Sequence, residues 1–263
     1  MLAVSHNNRS QLQQYAHYDW QPDLPDYRDR ILAVKPQTLW RMPYQVDLRS
    51  NMPPVSPAHR LGNCAIGSLS EAIAYSQIFG QALSDETKGQ YQTFKEQAAG
   101  RLMDAGAPAQ IRKGLKEFCK NTHFENGLLT AIDGSGIKTG RLRLQEKPID
   151  YFRIEQNLNH LKACLSEGHP FVFGFSVYDA FENPMIAETG DLNLPGKSEY
   201  VIGGHTALCV GYDDNTERFI LRNTCWGNNW GQEGHFTVPY SYLQHQGLAR
   251  DFWTIRLTPL HGE

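Results

Sequence analysis

The sequence predicts an α+β fold in which helices come first and antiparallel strands follow. Between residues 84 and 120, Ala, Gln, Lys and Glu surround apolar residues at helical spacing. From residue 151 onward, short apolar or alternating runs are separated by turn residues, as in paired strands. Runs of helices followed by runs of strands are typical of α+β proteins.

The strand-rich half centres on a predicted β-hairpin. A turn at 213–216 joins two strand-like runs, 201–212 and 218–223. His205 therefore lies near the start of a central strand, and Asn223 lies at the end of its partner. An imidazole that takes up protons needs an acceptor to orient its ring, and Asn223 can supply one. The alternative is a core histidine beside a polar residue that ends a strand.

The helical half supplies a candidate nucleophile, Cys64, at the start of a predicted amphipathic helix. One side of this helix carries Ile66, Leu69, Ile73 and Phe79, and the other carries Ser68, Ser70, Glu71 and Gln77. A thiol in the first turn of a helix lies at the positive end of the helix dipole, which favours thiolate. Paired with an imidazole it becomes an activated nucleophile. The alternative is a small buried residue at a helix start.

The remaining elements follow from periodicity and from breaker residues. The prolines between residues 18 and 45 predict an extended segment that lies along a surface. Glycines between residues 121 and 140 indicate turns. Further strands are expected at 46–49, 151–154, 171–177, 235–238 and 251–255, and helices at 111–119 and 155–167.

Composition and charge narrow the class of protein. A net charge of −3 without a basic cluster predicts no nucleic-acid partner. No window approaches 18 apolar residues and no secretory signal is visible, so we expect no membrane partner and a cytoplasmic location, although delivery by a specialised secretion system would leave no readable sign. The five cysteines, without a CxxC pair, predict reduced thiols. Neither a metal nor a cofactor is expected, and nothing indicates an oligomeric state.

Several motifs resemble the papain-like (C1-type) cysteine peptidases, in particular a bacterial subgroup that lacks a propeptide. The matching residues are 18–26, 46–49, 53–55, Leu61-Gly62-Asn63-Cys64, Gly203-Gly204-His205, 210–214, 222–223 and 226–231. The resemblance covers nearly the whole chain and is thinnest from 83 to 147. His205 follows Cys64 by 141 positions and Asn223 follows it by 159, against roughly 130–150 in papain-like enzymes.

This resemblance implies a two-lobed fold, with a peptide or acyl substrate in the cleft between the lobes. It implies an extended N-terminal segment at 1–45 and one catalytic domain at 46–263, with a helical lobe at about 60–145 and a barrel-like β lobe at about 146–258. Cys64 would attack a carbonyl to form a thioester acyl-enzyme, His205 would carry the proton, and Asn223 would orient it. The segment before Val46 is not helical in composition, so we expect control by something other than propeptide cleavage.

Two positions depart from the family pattern. The glutamine that donates to the oxyanion lies six residues before the nucleophile in the family, and Ala58 stands there. The run Asn223-Thr224-Cys225-Trp226 has one residue more than the family's Asn-Ser-Trp, so Thr224 is an alternative to Asn223. Two other functions therefore stay open beside hydrolysis: a cysteine-dependent acyltransferase or transpeptidase on a non-protein substrate, and a catalytically impaired binding protein that keeps the cleft.

Overall fold

The computed structural model describes residues 18–56, 63–120 and 149–257, and the backbone of three short strands between 124 and 139. The helices are α1 Pro36–Trp40, α2 Cys64–Ile78, α3 Asp85–Asp104, α4 Ile111–Lys120, α5 Leu158–Ser166, α6 Pro184–Thr189 and α7 Tyr240–Gln244. The strands are β1 Gln45–Asp47, β2 Phe124–Glu125, β3 Leu128–Asp133, β4 Gly136–Thr139, β5 Ile149–Arg153, β6 Phe171–Tyr178, β7 Val201–Asp213, β8 Arg218–Arg222, β9 His235–Pro239 and β10 Ala249–Leu257. The expected α+β class is confirmed.

A seven-stranded antiparallel sheet forms the β-rich part. Its strands run in the order β5-β10-β6-β7-β8-β9, and β1 pairs with the far end of β7. The predicted hairpin is β7 and β8, with Leu208 opposite Arg222 and Asp213 opposite Arg218. The apolar run of β6 is almost wholly buried because it lies between two strands in the sheet and beneath α2. This arrangement puts β7, which carries His205, at the centre of the fold.

Helix α2 is buried on all sides, and the prediction of an amphipathic helix with one polar face is wrong. Ser68, Ser70 and Glu71 are fully enclosed, as are Ile66, Leu69 and Ile73 on the opposite side, whereas Phe79 follows the end of the helix and is exposed. The reason is that α2 packs against β7 and β10 on one side and against α3 and α4 on the other. Its small side chains allow these close approaches, and its polar groups find buried partners.

The segment from 18 to 45 is extended for much of its length but does not lie only on the surface. Trp20 and Leu32 are buried, and Pro36–Trp40 forms the short helix α1. Trp20 packs directly over Gly174 of β6, where a Cβ atom would overlap its indole ring. An aromatic side chain seated on a glycine of a central strand makes this part of the segment a component of the core.

Three strands between 124 and 139 were not predicted from the sequence. They form a separate antiparallel sheet in the order β2-β3-β4, with Ile132 opposite Ile137. Gly136, one of the glycines that indicated turns in this region, is the first residue of β4. Within the described residues, no helix combines the length and the apolar character that crossing a bilayer requires.

Candidate active site

Cys64 lies in the first turn of α2, as its sequence context predicted. Asn63 caps this helix. Its Oδ1 accepts from the N–H of Ile66 at 3.0 Å, and its Nδ2 donates to the carbonyl of Ala107 at 2.8 Å. The cap engages the amide oxygen, and Ala107 takes one of the two amide hydrogens, so the Asn63 side chain is fixed at the start of α2. Ala58 itself lies outside the described residues.

The hairpin brings His205 and Asn223 together. His205 Nε2 lies 3.4 Å from Asn223 Oδ1, and the same oxygen accepts from the N–H of Cys225 at 3.2 Å. The contact with a main-chain donor identifies this atom as the amide oxygen, so the imidazole carries its proton on Nε2 and leaves Nδ1 as an acceptor. Thr224, the alternative partner, instead places its hydroxyl 3.3 Å from Ser68 Oγ.

Aromatic rings surround the imidazole of His205. Trp226 stacks on it at a centroid distance of 5.7 Å and an interplanar angle of 13°, and Phe175 meets it edge-on at 5.5 Å. His205 is 2% exposed. Burial lowers the pKa of His205 to about 4, and the bond to Asn223 opposes that shift. The imidazole is therefore neutral at pH 7, and Trp226 shields its contact with Asn223 from water.

The Cys64 thiol is engaged by an acidic side chain from the N-terminal segment. Its Sγ donates to Asp19 Oδ1 at 3.4 Å. His205 Nδ1 is buried and, within the described part of the chain, has no hydrogen-bond partner. The two groups that would form a thiolate–imidazolium pair are thus present but not joined.

The electrostatic environment of this thiol opposes ionisation, contrary to the expectation from the helix dipole alone. Burial raises the pKa of the Cys64 thiol well above its usual range, and the nearby Cys225 thiol and Asp19 carboxylate raise it further. A hydrogen bond from the Thr206 side chain acts in the opposite direction. With Asp19 in place, the site holds a protonated thiol beside a neutral imidazole.

Asp19 belongs to a short stretch, Tyr18–Trp20, that lies beside the start of β7. The N–H of Trp20 donates to the carbonyl of Gly204 at 3.1 Å, and the Gly204 N–H donates to the Tyr18 carbonyl at 3.4 Å. The Tyr18 ring lies edge-on to His205 at 6.2 Å, and its hydroxyl donates to Glu182 at 3.0 Å. The chain itself therefore occupies the surface beside Cys64 and His205.

Sequence reasoning did not assign a role to Asp19. The signal was present, because residues 18–26 are part of the resemblance, but nothing local shows which distant group a carboxylate will meet. The pairing with Cys64 spans 45 positions.

A buried ion cluster lies beneath the site and joins α2 to the hairpin of β7 and β8. Glu71 of α2 is fully buried, with Oε1 2.5 Å from Lys95 Nζ and Oε2 3.1 Å from Arg222 Nε. The Tyr91 hydroxyl also donates to Glu71. Arg222 ends β8 and directly precedes Asn223, so this cluster links the helix that begins at Cys64 to the strand that leads into Asn223.

Two known proteins are similar to this chain over most of its length. An uncharacterised peptidase C1-like protein of Acanthamoeba polyphaga mimivirus is 30% identical over 210 residues, which are 74% of this chain and 67% of the viral protein. The crystal structure of xylellain, a cysteine protease from Xylella fastidiosa, superposes with a TM-score of 0.67 at 30% identity, over 91% of this chain and 95% of xylellain. The chain belongs to the papain-like C1 family of cysteine peptidases.

Two further proteins are similar to this chain, one in fold and one over a short stretch of sequence. Procathepsin L2 from the midgut of Tenebrio molitor larvae has a TM-score of 0.60 at 16% identity, over 94% of this chain and 80% of that protein. A cathepsin B-like protein of Giardia intestinalis is 35% identical over 79 residues, which are 28% of this chain and 24% of the relative. No protein-family model matches the sequence. The papain-like fold predicted from the motifs is confirmed, and the chain is similar to cysteine peptidases.

Proposed function

We propose that this C1-family chain is a thiol-dependent peptidase or amidase that uses Cys64, His205 and Asn223. The observation that supports this most directly is the His205–Asn223 contact, which leaves Nδ1 as an unpaired acceptor in a dry aromatic site. Cys64, at the start of α2, is the thiol that would give its proton to that nitrogen. An unpartnered buried acceptor is costly unless a donor reaches it.

In the proposed reaction, Cys64 Sγ transfers its proton to His205 Nδ1 and attacks the carbonyl carbon of a peptide or amide. The tetrahedral intermediate collapses as the C–N bond breaks, and His205 returns the proton to the leaving amine. Water, deprotonated by His205, then attacks the thioester, which releases the acid and regenerates the thiol. Asn223 Oδ1 stabilises the imidazolium through its Nε2 hydrogen.

The oxyanion would be stabilised by the main-chain N–H of Cys64. In the first turn of a helix such groups have no intrahelical partner and point toward incoming negative charge. A second donor is provided in the family by the glutamine that Ala58 replaces. Loss of one such donor reduces turnover by about 10²–10³, so we propose a slow enzyme whose turnover rises when Ala58 is changed to glutamine.

The proposed domain organisation places Cys64 in one lobe and His205 and Asn223 in the other. Residues 46–263 would form the catalytic domain, with a helical lobe at about 60–145 that carries Cys64 and a β lobe at about 146–258 that carries the other two residues. The substrate would lie between them, along the path that Tyr18–Trp20 takes beside Gly204. Productive binding therefore requires Tyr18–Trp20 to move. The five free cysteines support a reducing compartment, and we propose the cytoplasm.

A fluorogenic peptide-amide library tests the proposed reaction. Hydrolysis should be abolished in Cys64→Ala and reduced at least about a hundredfold in His205→Ala, whereas Cys119→Ser, which alters a free thiol on α4, should match the wild type. Added amine nucleophiles separate hydrolysis from acyl transfer, because a transferase gives the amide adduct as its main product. Hydrolysis that persists in Cys64→Ala would refute the proposal. Unaltered binding of peptides without turnover would identify a binding protein instead.

A further inference from the structure

The pairing between β7 and β8 stops short of the contact between His205 and Asn223. The last paired residues on this side of the hairpin are Leu208 and Arg222. Asn223 then leaves the strand, and its N–H donates to the carbonyl of Gly234 at 2.9 Å rather than to β7. The 3.4 Å separation of His205 Nε2 from Asn223 Oδ1 is therefore not fixed by strand pairing.

A buried hydroxyl of α2 bridges the two chain segments at this point. Ser68 Oγ lies 3.1 Å from Thr206 Oγ1 and 3.3 Å from Thr224 Oγ1. Thr206 directly follows His205, and Thr224 directly follows Asn223. Ser68 and both threonines are buried. A serine hydroxyl has one proton and two lone pairs, so Ser68 can bond both threonines at once.

Two further contacts of α2 hold the chain on either side of Asn223. Glu71 Oε2 lies 3.1 Å from Nε of Arg222, the residue before Asn223. A Cβ at Gly67 would lie 2.6 Å from Thr224 Oγ1, so glycine at this position lets the backbone of α2 approach the residue after Asn223 closely. The residues before and after Asn223 are thus both anchored to one helix.

The same face of α2 carries the candidate nucleophile. Cys64, Ser68 and Glu71 follow one another by four and three positions, a spacing that places side chains on one face of an α-helix. Cys64 begins the helix, and Ser68 lies one turn further on. A hydroxyl that reaches from this face to both sides of the hairpin therefore fixes the helix of the thiol relative to His205 and Asn223.

We propose that Ser68 is a positioning residue that sets the His205–Asn223 contact through Thr206 and Thr224. This inference deepens the proposed function. Its effect on turnover rests on the peptidase proposal, whereas the contact that it sets can be measured without turnover. Loss of the bridging hydroxyl would leave two buried threonines without their shared partner and let Asn223 move relative to the imidazole. Such displacements of catalytic groups slow the chemical step more than they weaken substrate binding.

Ser68→Ala removes the bridging hydroxyl, and Ser70→Ala is its matched control. Ser70 is also fully buried on α2, but its Oγ donates to the Gly67 carbonyl within the helix at 3.0 Å. We expect Ser68→Ala to lower kcat for peptide-amide hydrolysis by about tenfold, with KM within about twofold of the wild type. Ser70→Ala should keep both constants close to those of the wild type. Equal losses of kcat in the two variants would show a general packing effect in the helix and overturn the inference.

The imidazole gives a second measurement by nuclear magnetic resonance at pH 7 on protein with isotope-labelled histidine. The Nε2–H proton of His205, identified by its absence in His205→Ala, reports the bond to Asn223 through its rate of exchange with water. We expect exchange at least about tenfold faster in Ser68→Ala than in the wild type, because the contact opens more often. Ser70→Ala should leave the exchange rate unchanged. An unchanged rate in Ser68→Ala would overturn the inference.

Variants of Thr224 test the same bridge if Ser68→Ala does not fold. Thr224→Val keeps the branched shape without the hydroxyl and should reproduce both effects of Ser68→Ala, whereas Thr224→Ser keeps the hydroxyl and should resemble the wild type. Because the two hydroxyls act through one contact, the double variant Ser68→Ala with Thr224→Val should be no slower than the slower single variant. Losses of kcat that multiply would show independent roles and overturn the inference.

The wild-type protein separates failure of this inference from failure of the proposed function. If it hydrolyses no peptide amide while the His205 proton responds to Ser68→Ala as expected, the peptidase proposal fails and the positioning role of Ser68 stands. If it hydrolyses peptide amides and neither measurement responds to Ser68→Ala, Ser68 has no positioning role and the peptidase proposal stands.

Discussion

Replacement of Glu71 by glutamine is expected to destabilise the folded chain by about 3–5 kcal/mol, because it leaves two buried cations without their counter-ion. The carboxylate is fully buried, and both Lys95 and Arg222 reach it. Glutamine has the same shape and can still accept from Tyr91. The substitution therefore removes charge while it preserves packing.

The pKa of Glu71 gives a second estimate of the free energy that Lys95 and Arg222 contribute through this carboxylate. Burial alone would raise this pKa, but Arg222, Lys95 and the Tyr91 hydroxyl lower it to about 2, from a usual value of 4.5. A depressed carboxyl pKa contributes stability that is present above the unfolded value and lost as pH falls through the folded value. At about 1.4 kcal/mol per unit, the shift corresponds to about 3 kcal/mol, in agreement with the range for breaking a buried pair.

The measurement is urea denaturation at neutral pH, followed by tryptophan fluorescence. Lys88→Ala is the matched control, because it breaks an exposed ion pair with Asp85 on α3 and should change the unfolding free energy by less than about 1 kcal/mol. A loss below about 1 kcal/mol in Glu71→Gln would refute the reasoning. The double variant Glu71→Gln with Lys95→Met should recover part of the loss, since it removes one of the two unpaired cations.

Three further predictions follow from the site. Asp19→Asn removes the negative charge beside Cys64 and should raise the rate of Cys64 alkylation at pH 7 by about tenfold, or one unit of thiol pKa. Asp26→Asn, in the same segment but paired with Arg28 and Lys116, is its control, and equal rates in the two variants would contradict the assigned contact. Asn223→Ala should lower kcat for peptide-amide hydrolysis by about 10–100-fold with little change in KM, because it removes one hydrogen bond to the imidazolium; a change confined to KM would show a role in substrate binding. Stability should fall between pH 6.5 and 4, because burial lowers the pKa values of His169, His205 and His235 to about 4 and the unfolded chain binds more protons in that window. Burial raises the pKa values of Asp23 and Asp251, so at these two groups the folded chain binds more protons and the loss of stability is partly offset. Three histidines outweigh two carboxyl groups, so urea midpoints that stay level or rise from pH 7 to pH 5 would overturn the prediction.

Local patterns in the sequence predicted most of the elements that carry the site. The helix that begins at Cys64 and the hairpin of β7 and β8 are both present, and the His205–Asn223 contact follows from the way a hairpin aligns its two strands. These features depend on periodicities of two to four residues and on turn residues, which a sequence displays directly. Strand bounds differ from the predictions by a few residues, as at Ile149–Arg153.

Only the tertiary structure decided the protonation state of Cys64, the candidate nucleophile. The helix dipole predicted a thiol inclined to ionise, whereas burial together with Asp19 opposes its ionisation. Glu71 occupied the presumed polar face of its helix, whereas it lies in the core against Arg222, 151 positions away. A sequence shows which faces of a helix or strand are polar. Whether a polar group is buried, and which partner it meets, depends on the elements that pack around it. Those contacts join residues far apart along the chain, where local patterns carry no information.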